Sequence, residues 1–276
     1  MVATPIGNLE DISSRALDSL ARADAIAAED TRVTARLLEH HHLQGKLIAV
    51  HEHNERQSAE RIIKELAQGK NVALVTDAGT PGVADPGALV VARARAAGFR
   101  VVPIPGPNAA VTALSAAGLR DAPFLFFGFL PPRSAARRKA LESLRGLPYT
   151  LVFYEAPHRI VESVEDLATI LGAMRALVLA RELTKMFEEF HRCPLGEAAT
   201  WLREDPDRRR GEFVLLVEGA PAAEPGHDWE AMLTALLEEM PLARAVKLTC
   251  RITGAKKNAV YAHALSLAGK TGGRRR

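Results

Sequence analysis

The sequence predicts an α/β protein: two α/β domains, the first with a parallel sheet and the second with a mixed one, and a small helical C-terminal appendage. Three observations lead there. From Ser13 to Ala117, short apolar runs alternate with stretches of helical periodicity, the signature of a parallel sheet with crossover helices. From Phe124 to Val217 the strand-like runs crowd together, which calls for antiparallel pairs in a mixed sheet. Past Gly219–His227, a linker rich in Ala, Pro and Gly, only helical periodicity remains. The expected domains are residues 1–121, 122–219 and 228–268, with the first boundary near Arg120–Pro123.

In the first domain, Ser13–Ala23 is a helix through Ala16, Leu17 and Leu20, and Ala25–Ala28 a short strand of small residues. Thr31–Glu39 is a helix, Leu47–Val50 a strand, and Ser58–Gln68 an amphipathic helix through Ile62, Ile63 and Leu66. Val72–Thr76 reads as a buried parallel strand. Ala88–Ala97 is a helix stopped by Gly98, Val101–Ile104 the next strand, and Asn108–Ala117 the next helix. Only Met1-Val2-Ala3 stand where a parallel sheet wants a strand ahead of the Thr4-Pro5 turn. Either the first strand is unusually short or residues ahead of it are missing.

The second domain opens with the aromatic strand Phe124–Leu130. Further strands are expected at Thr150–Tyr154, Ala176–Ala180, Glu188–Arg192 and Phe213–Val217. Its helices are expected at Ser134–Leu144, Ile160–Leu171 and Leu195–Arg203. In the appendage, Trp229–Met240 is an amphipathic helix broken by Pro241; Ala243–Ile252 and Asn258–Leu267 follow, turned by Gly254.

Composition narrows the function classes. Hydrophobic residues are 47% of the chain but aromatics only 5%, so Leu, Val, Ile and Ala must build the core and few rings remain to stack on bases. Two distant cysteines, Cys193 and Cys250, give neither a zinc spacing nor a disulfide framework. The histidines at 40, 41, 42, 51 and 53 have no carboxylate spacing to support a metal site and read as solvated, so no metal is expected. No charged-then-apolar leader opens the sequence and no apolar run has the length of a membrane span, so a soluble, cytoplasmic protein is expected. Nine basic and three acidic residues lie from Trp229 to Arg276. That end is therefore +6 and the remainder −3, a pattern that suits a polyanionic partner or, for Arg274–Arg276, a solubilising tail.

The chemistry is expected at Thr76-Asp77-Ala78-Gly79-Thr80-Pro81-Gly82-Val83-Ala84-Asp85-Pro86-Gly87. This loop follows a buried strand and precedes a helix, and ligands in open parallel sheets bind beyond the carboxyl ends of the strands. Its glycines let backbone approach a ligand, its prolines restrict its shape, and it is longer than an ordinary βα connection. Pro105-Gly106-Pro107-Asn108 and Thr4-Pro5-Ile6-Gly7-Asn8 end neighbouring strands on the same rim, although Asn108 also suits a helix N-cap.

These loops carry a resemblance. Thr4 to Ile12, Ala28-Glu29-Asp30-Thr31-Arg32, Asp77 to Gly87, Pro105 to Asn108, Gly128 to Pro131, Tyr154 to Arg159 and Ala180 to Lys185 resemble the bacterial ribosomal RNA small-subunit methyltransferase I family. That family belongs to the tetrapyrrole methylase-like superfamily, and the likeness runs to about Ala268. It implies S-adenosylmethionine held between two α/β domains, usually in a homodimer. It also implies 2′-O-methylation of a cytidine ribose in the decoding region of 16S ribosomal RNA. By position, Pro5, Asp77, Gly79, Thr80, Pro81, Gly82 and Val83 are expected to touch the cofactor, with Pro105, Gly106 and Ala109; Gly82→Val is expected to abolish its binding. Arg133, Arg137, Arg138 and Arg159, with Lys247, Arg251, Lys256 and Lys257, are candidate RNA contacts, and each cluster equally suits a solvated face.

A ribose hydroxyl is a poor nucleophile and profits from a general base. Candidates are Lys185, if burial lowers its pKa, with Glu182 and Arg181 beside it, and His158. Arg181 and Lys185 suit flanking phosphates as well, and structural ion pairs remain an alternative for all four. Two other function classes stay open: a small-molecule methylase for a tetrapyrrole-like ring, and a non-catalytic RNA-binding or assembly protein.

Overall fold

The computed structural model describes residues 1–51, 53–119, 123–221 and 228–271. The expected boundary at Arg120–Pro123, most of the linker and the terminal arginines fall largely outside these residues. Two compact units are present, Met1–Gly219 and Ala220–Arg276.

The larger unit holds two sheets. The first is parallel, ordered β2-β1-β3, from β1 (Ala25–Ala28), β2 (Leu47–Ala49) and β3 (Val72–Leu74). All four residues of β1 are buried, so small side chains let helices close over both faces of the central strand. Around it lie α1 (Ser14–Ala21), α2 (Thr31–His40), α3 (Glu55–Ala67), α4 (Ala88–Ala96) and α5 (Ala109–Ala116). Caps set their starts: Ser13 accepts from the Ala16 N–H and Asp30 from the Arg32 N–H. Helix α3 begins three residues ahead of the expected Ser58. Glu55 in its first turn reaches across to accept from the N–H groups of Gly87 and Leu89 at the head of α4.

The expected strand Val101–Ile104 does not form. Ile104 makes a single parallel bridge to Val2, bonding to Met1 and Ala3. Pro103 and Pro105 lack the N–H groups that would extend a ladder, and Met1–Ala3 offers three residues to pair with. Val2 also donates to Leu74, so this stub lies between β3 and residue 104. Behind it lies a cavity of about 410 Å³ walled by Ile62, Leu66, Val72, Leu74, Val90 and Val102. The Met1 ammonium donates to the Val102 carbonyl there, and burial lowers its pKa. A variant lengthened by Val-Ile-Val ahead of Met1 is expected to melt about 4–8 °C higher by calorimetry. Side-chain burial at about 1.5–3 kcal/mol each exceeds the ordering cost of about 1–2 kcal/mol per residue. An unchanged Tm would show that the cavity does not accept a strand.

The second sheet runs β4-β5-β8-β6-β7, from β4 (Phe124–Phe129), β5 (Thr150–Glu155), β6 (Ala176–Arg181), β7 (Glu189–Pro194) and β8 (Phe213–Val217). Only β4 and β5 pair in parallel; the other pairs are antiparallel, as the crowded strands predict. Helices α6 (Ser134–Glu142), α7 (Ile160–Leu171) and α8 (Leu195–Glu204) cover one face through Leu141, Val164, Leu167 and Ala198. The other face is covered from the N-terminal half: Ala110, Ala113 and Ala117 of α5 and its C-cap pack on Val152, Val178, Val214 and Leu216.

The smaller unit has α9 (Asp228–Glu239), α10 (Leu242–Thr253) and α11 (Lys257–Thr271) around Trp229, Leu233, Val246 and Val260. Gly254 turns α10 into α11 with φ 71°, a conformation for which glycine carries no Cβ penalty. No helix among the described residues is long and apolar enough to cross a membrane.

Candidate active site

The three special loops are tied together at the carboxyl ends of the first sheet. Thr4 and Gly79 exchange backbone hydrogen bonds of 2.9 and 3.0 Å, and the Thr4 hydroxyl donates to the Thr76 carbonyl at 3.0 Å. The Thr80 hydroxyl donates to the Pro107 carbonyl at 3.2 Å. Gly79 holds φ at +81°, where a side chain would be strained.

Beneath these ties a cleft of about 410 Å³ opens between the loops and the second sheet. Ile6, Asp77, Gly79, Thr80, Val83 and Ala109 form one wall; Phe129, Tyr154, Leu183 and Val214 face them. Asn108 lines it too, while its side chain accepts from the Val111 N–H, so it is both N-cap and cleft residue.

Carboxylates gather at the strand ends. Glu29 follows β1 and Asp77 lies beyond β3, brought together by the register that sets Ala27 against Leu74. The Thr76 hydroxyl donates to Glu29 Oε2 at 2.6 Å, and the Asp30 N–H to Asp77 Oδ1 at 2.8 Å. Asp85 returns from the loop to the same place. Burial, then the nearby Glu29 charge, pushes its pKa up to about 6. Burial also raises Asp77 above the usual carboxylate range. Asp77 and Asp85, both raised beside Glu29, form an anionic cluster that a cationic ligand would relieve.

Several expected site residues lie elsewhere. Asp77, Gly79, Thr80, Val83 and Ala109 line the cleft; Pro5, Pro81, Gly82, Pro105 and Gly106 do not. Pro5 is buried behind the rim, and Gly106 backs onto Ala3. Gly82 is exposed, and a Cβ added there would meet nothing nearer than Met1 Cε at 3.9 Å, so the close approach belongs to Gly79.

The expected catalytic cluster is an ion-pair network. Arg181 bonds Glu189 and the carbonyls of Asp207 and Arg210. Lys185 Nζ contacts Glu182 at 2.8 Å and Glu212 at 3.0 Å. Burial alone would lower Lys185, but the hydrogen bonds to these two carboxylates outweigh it and raise its pKa, which removes the basis for Lys185 as base. Burial alone would raise Glu182, but Lys185 and the Glu212 N–H hold it below the usual range. His158 is exposed and off the cleft wall, whereas its neighbour Pro157 lines it. Glu155 lines the cleft with its carboxylate already held by Ser163, the Ala156 N–H and Arg159.

Among the expected RNA contacts, Arg137 is corrected: it is fully buried and its Nε donates to Asp166 at 2.6 Å. Arg138 is half exposed but bonds the same carboxylate, and Arg159 is turned onto Glu155. Arg133, Lys247, Arg251, Lys256 and Lys257 are exposed. The cleft residues that sequence reasoning missed include Glu29, Phe129 and Tyr154; Asp85 lies in the loop where the chemistry was expected, though not among the expected cofactor contacts. Glu29 and Asp85 stand inside recognisable motifs, but only strand pairing sets them side by side.

Two family descriptions match: Tetrapyrrole (Corrin/Porphyrin) Methylases over residues 1–199 and RsmI C-terminal HTH domain over residues 223–268. The Escherichia coli O157:H7 protein named Ribosomal RNA small subunit methyltransferase I is 52% identical over 271 residues, spanning 98% of this chain and 95% of its own length. The chain belongs to the ribosomal RNA small subunit methyltransferase I family. The Pseudomonas aeruginosa member is 49% identical over 98% of both chains. In fold, the chain resembles the methyltransferase CobJ at TM-score 0.58 and 21% identity, covering 79% of this chain and 92% of the other. It also resembles the Thermus thermophilus uroporphyrin-III C-methyltransferase complexed with S-adenosyl homocysteine, at TM-score 0.55 and 19% identity, covering 78% and 94%.

Proposed function

We propose that the chain transfers a methyl group from S-adenosylmethionine to the ribose 2′-hydroxyl of a cytidine in the decoding region of 16S ribosomal RNA, within the small ribosomal subunit and as a homodimer. The observation that carries this reading is the acid-lined cleft beside Gly79, in a chain similar over nearly its whole length to proteins named for ribosomal RNA methylation. S-adenosylmethionine carries an ammonium and a sulfonium, and the raised acids Asp77 and Asp85 fit a cation. Apolar surface from Ile6, Leu183 and Val214 suits the uncharged parts of a nucleoside.

The cofactor supplies an already activated methyl group. The chain's own residues bind and orient: the Gly79 backbone forms the wall, and Thr80 keeps that wall locked to Pro107. Tyr154 accepts from the Ala110 N–H at 3.2 Å, fixing its ring in the opposite wall. Labelled methyl should enter 30S subunits and leave one phosphodiester resistant to alkali, because the 2′-oxygen can no longer attack it. Label entering a tetrapyrrole acceptor and not RNA would favour the small-molecule reading, and no cofactor binding by calorimetry the non-catalytic one.

Lys247, Arg251, Lys256 and Lys257 are exposed on α10 and around the start of α11, and we assign them to phosphate contacts. Replacing Lys247 and Arg251 by alanine is expected to weaken binding to 16S RNA and to flatten the salt dependence of log K by about 1 per residue. An unchanged slope would return them to a solvated face.

A further inference from the structure

We propose that Phe129 is the platform on which a base of the acceptor RNA stacks, so that the strand is held across the cleft with a ribose toward the cofactor. The assignment rests on the RNA reading above and names a residue for it.

A break in strand register aims this ring. Along β4 and β5 the pairing runs in step from Phe124 with Thr150 to Phe126 with Val152, then shifts, so that Gly128 stands opposite Phe153 and Phe129 opposite Tyr154. In unbroken register Gly128 would meet Tyr154, and Phe129 would follow Phe127 onto the face that the helices cover. The bulge puts Phe129 beside Tyr154 on the cleft wall instead. Gly128 makes that turn with φ at +83°, and Ala84 Cβ of the long loop lies 3.8 Å from where a Cβ of its own would be. Bulges in parallel pairs are uncommon, and this one moves a phenyl ring out of a core to a place where it is 52% exposed. Left uncovered, the ring forgoes the burial that drives folding, and a ligand laid on it restores that burial.

The ring is fixed and free to stack. It meets Tyr154 edge-to-face, with 5.6 Å between centroids and 69° between planes. Tyr154 is itself held by Phe126 at 4.8 Å and by the Ala110 N–H at 3.2 Å. Phe129 and Tyr154 are the aromatic residues of the cleft lining, and the tyrosine is the more enclosed of the two. A phenyl face carries no hydrogen-bonding group, so it positions a base without selecting which one.

The surroundings favour RNA over the adenosine of the cofactor. Phe129 ends β4, the edge strand of its sheet, where a polymer can reach it. Arg133 follows four residues later, exposed and without a carboxylate partner among the described residues. Four residues span at most about 14 Å, so a base on the ring and a phosphate on the guanidinium fit one short stretch of strand. S-adenosylmethionine has no phosphate to offer Arg133.

The test uses the full chain with 30S subunits lacking the modification. Phe129→Leu keeps apolar bulk and loses the flat face. It should lower kcat/KM for 30S subunits about tenfold or more, chiefly through KM, with S-adenosylmethionine affinity by calorimetry within about threefold of wild type. Phe129→Trp should keep transfer within about threefold of wild type. Its added emission, read against that of Trp201 and Trp229, should be quenched by a cytidine-containing oligoribonucleotide and not by S-adenosylmethionine. Phe124→Leu is the control: Phe124 is 49% exposed at the other end of β4, and its loss should leave transfer unchanged. An equal loss in that control would mean that strand integrity, not the ring, governs transfer, and would overturn the assignment. So would a loss of cofactor affinity matching the loss of transfer, or emission from Phe129→Trp that RNA does not quench. No methyl transfer to RNA by the wild-type protein overturns the RNA reading and the platform together; wild-type transfer with a fully active Phe129→Leu overturns the platform alone.

Discussion

Gly79→Val is expected to weaken S-adenosylmethionine binding by more than about a hundredfold, read by calorimetry. Gly79 holds φ at +81°, and a β-branched residue there is a genuine outlier. Its Cβ would lie 3.5 Å from Ile6 Cγ2 and 3.8 Å from the Pro107 carbonyl, with two further methyls to place between them. The backbone must rotate to escape, and that rotation breaks the paired bonds to Thr4 and unlocks Thr80 from Pro107. Three loops then lose their common anchor. Gly82→Val is the control. Gly82 has the same φ of +81°, but it is exposed and off the cleft wall, so the variant should lose stability while keeping affinity within about tenfold. Equal losses of affinity in the two variants would mean that loop strain, not the wall, controls binding.

Asp166→Ala is expected to destabilise the larger unit by about 3–5 kcal/mol, the usual consequence of removing one partner of a buried ion pair. Asp166 is 2% exposed and accepts from Arg137 at 2.6 Å, from Arg138 at 2.5 Å and from Ser134 at 2.9 Å. Without it, the buried guanidinium of Arg137 keeps only the more distant Glu162, 3.7 Å away and largely exposed, as a carboxylate partner. The melting temperature should fall by about 10 °C. The double variant Arg137→Met/Asp166→Ala should regain much of this, because an apolar pair removes the stranded charge. Burial alone would raise the Asp166 pKa, but its three donors hold it below the usual range. A depressed carboxylate contributes stability above its unfolded pKa of about 3.9 and loses it as pH falls through the folded value. The penalty of Asp166→Ala should therefore shrink under acid. A loss below about 1 kcal/mol at pH 7 would show that the network is not stabilising.

The alternation of runs such as Ala25–Ala28 with amphipathic helices made the two-sheet architecture readable, because burial imposes those periods directly. Val101–Ile104 misled because an apolar run does not disclose whether a partner strand is long enough to pair with it, or that flanking prolines stop the ladder. The coverage of the second sheet by α5 was unreadable for a related reason: Ala110, Ala113 and Ala117 mark an apolar face, and nothing local says which sheet it meets. In the cleft, Gly79 and Thr80 were legible from loop chemistry. Glu29 and Asp85 required the parallel register of β1 and β3. Arg137 looked like a surface cation because a charge is a poor guide to burial when its partner, Asp166, is far along the chain.

The carboxylates around Thr76 also give the reaction a direction. On the proposed reading, the bound donor would bring a positively charged sulfur to them before transfer; afterwards the sulfur would be an uncharged thioether, without that attraction to Glu29, Asp77 and Asp85. One turnover thus removes the positive charge that these acids oppose inside the cleft. Running backwards would mean rebuilding a sulfonium charge inside the cleft. The spent donor is thus held less firmly than the fresh one by the acids that recruited it, and discharge of the site opens it for exchange.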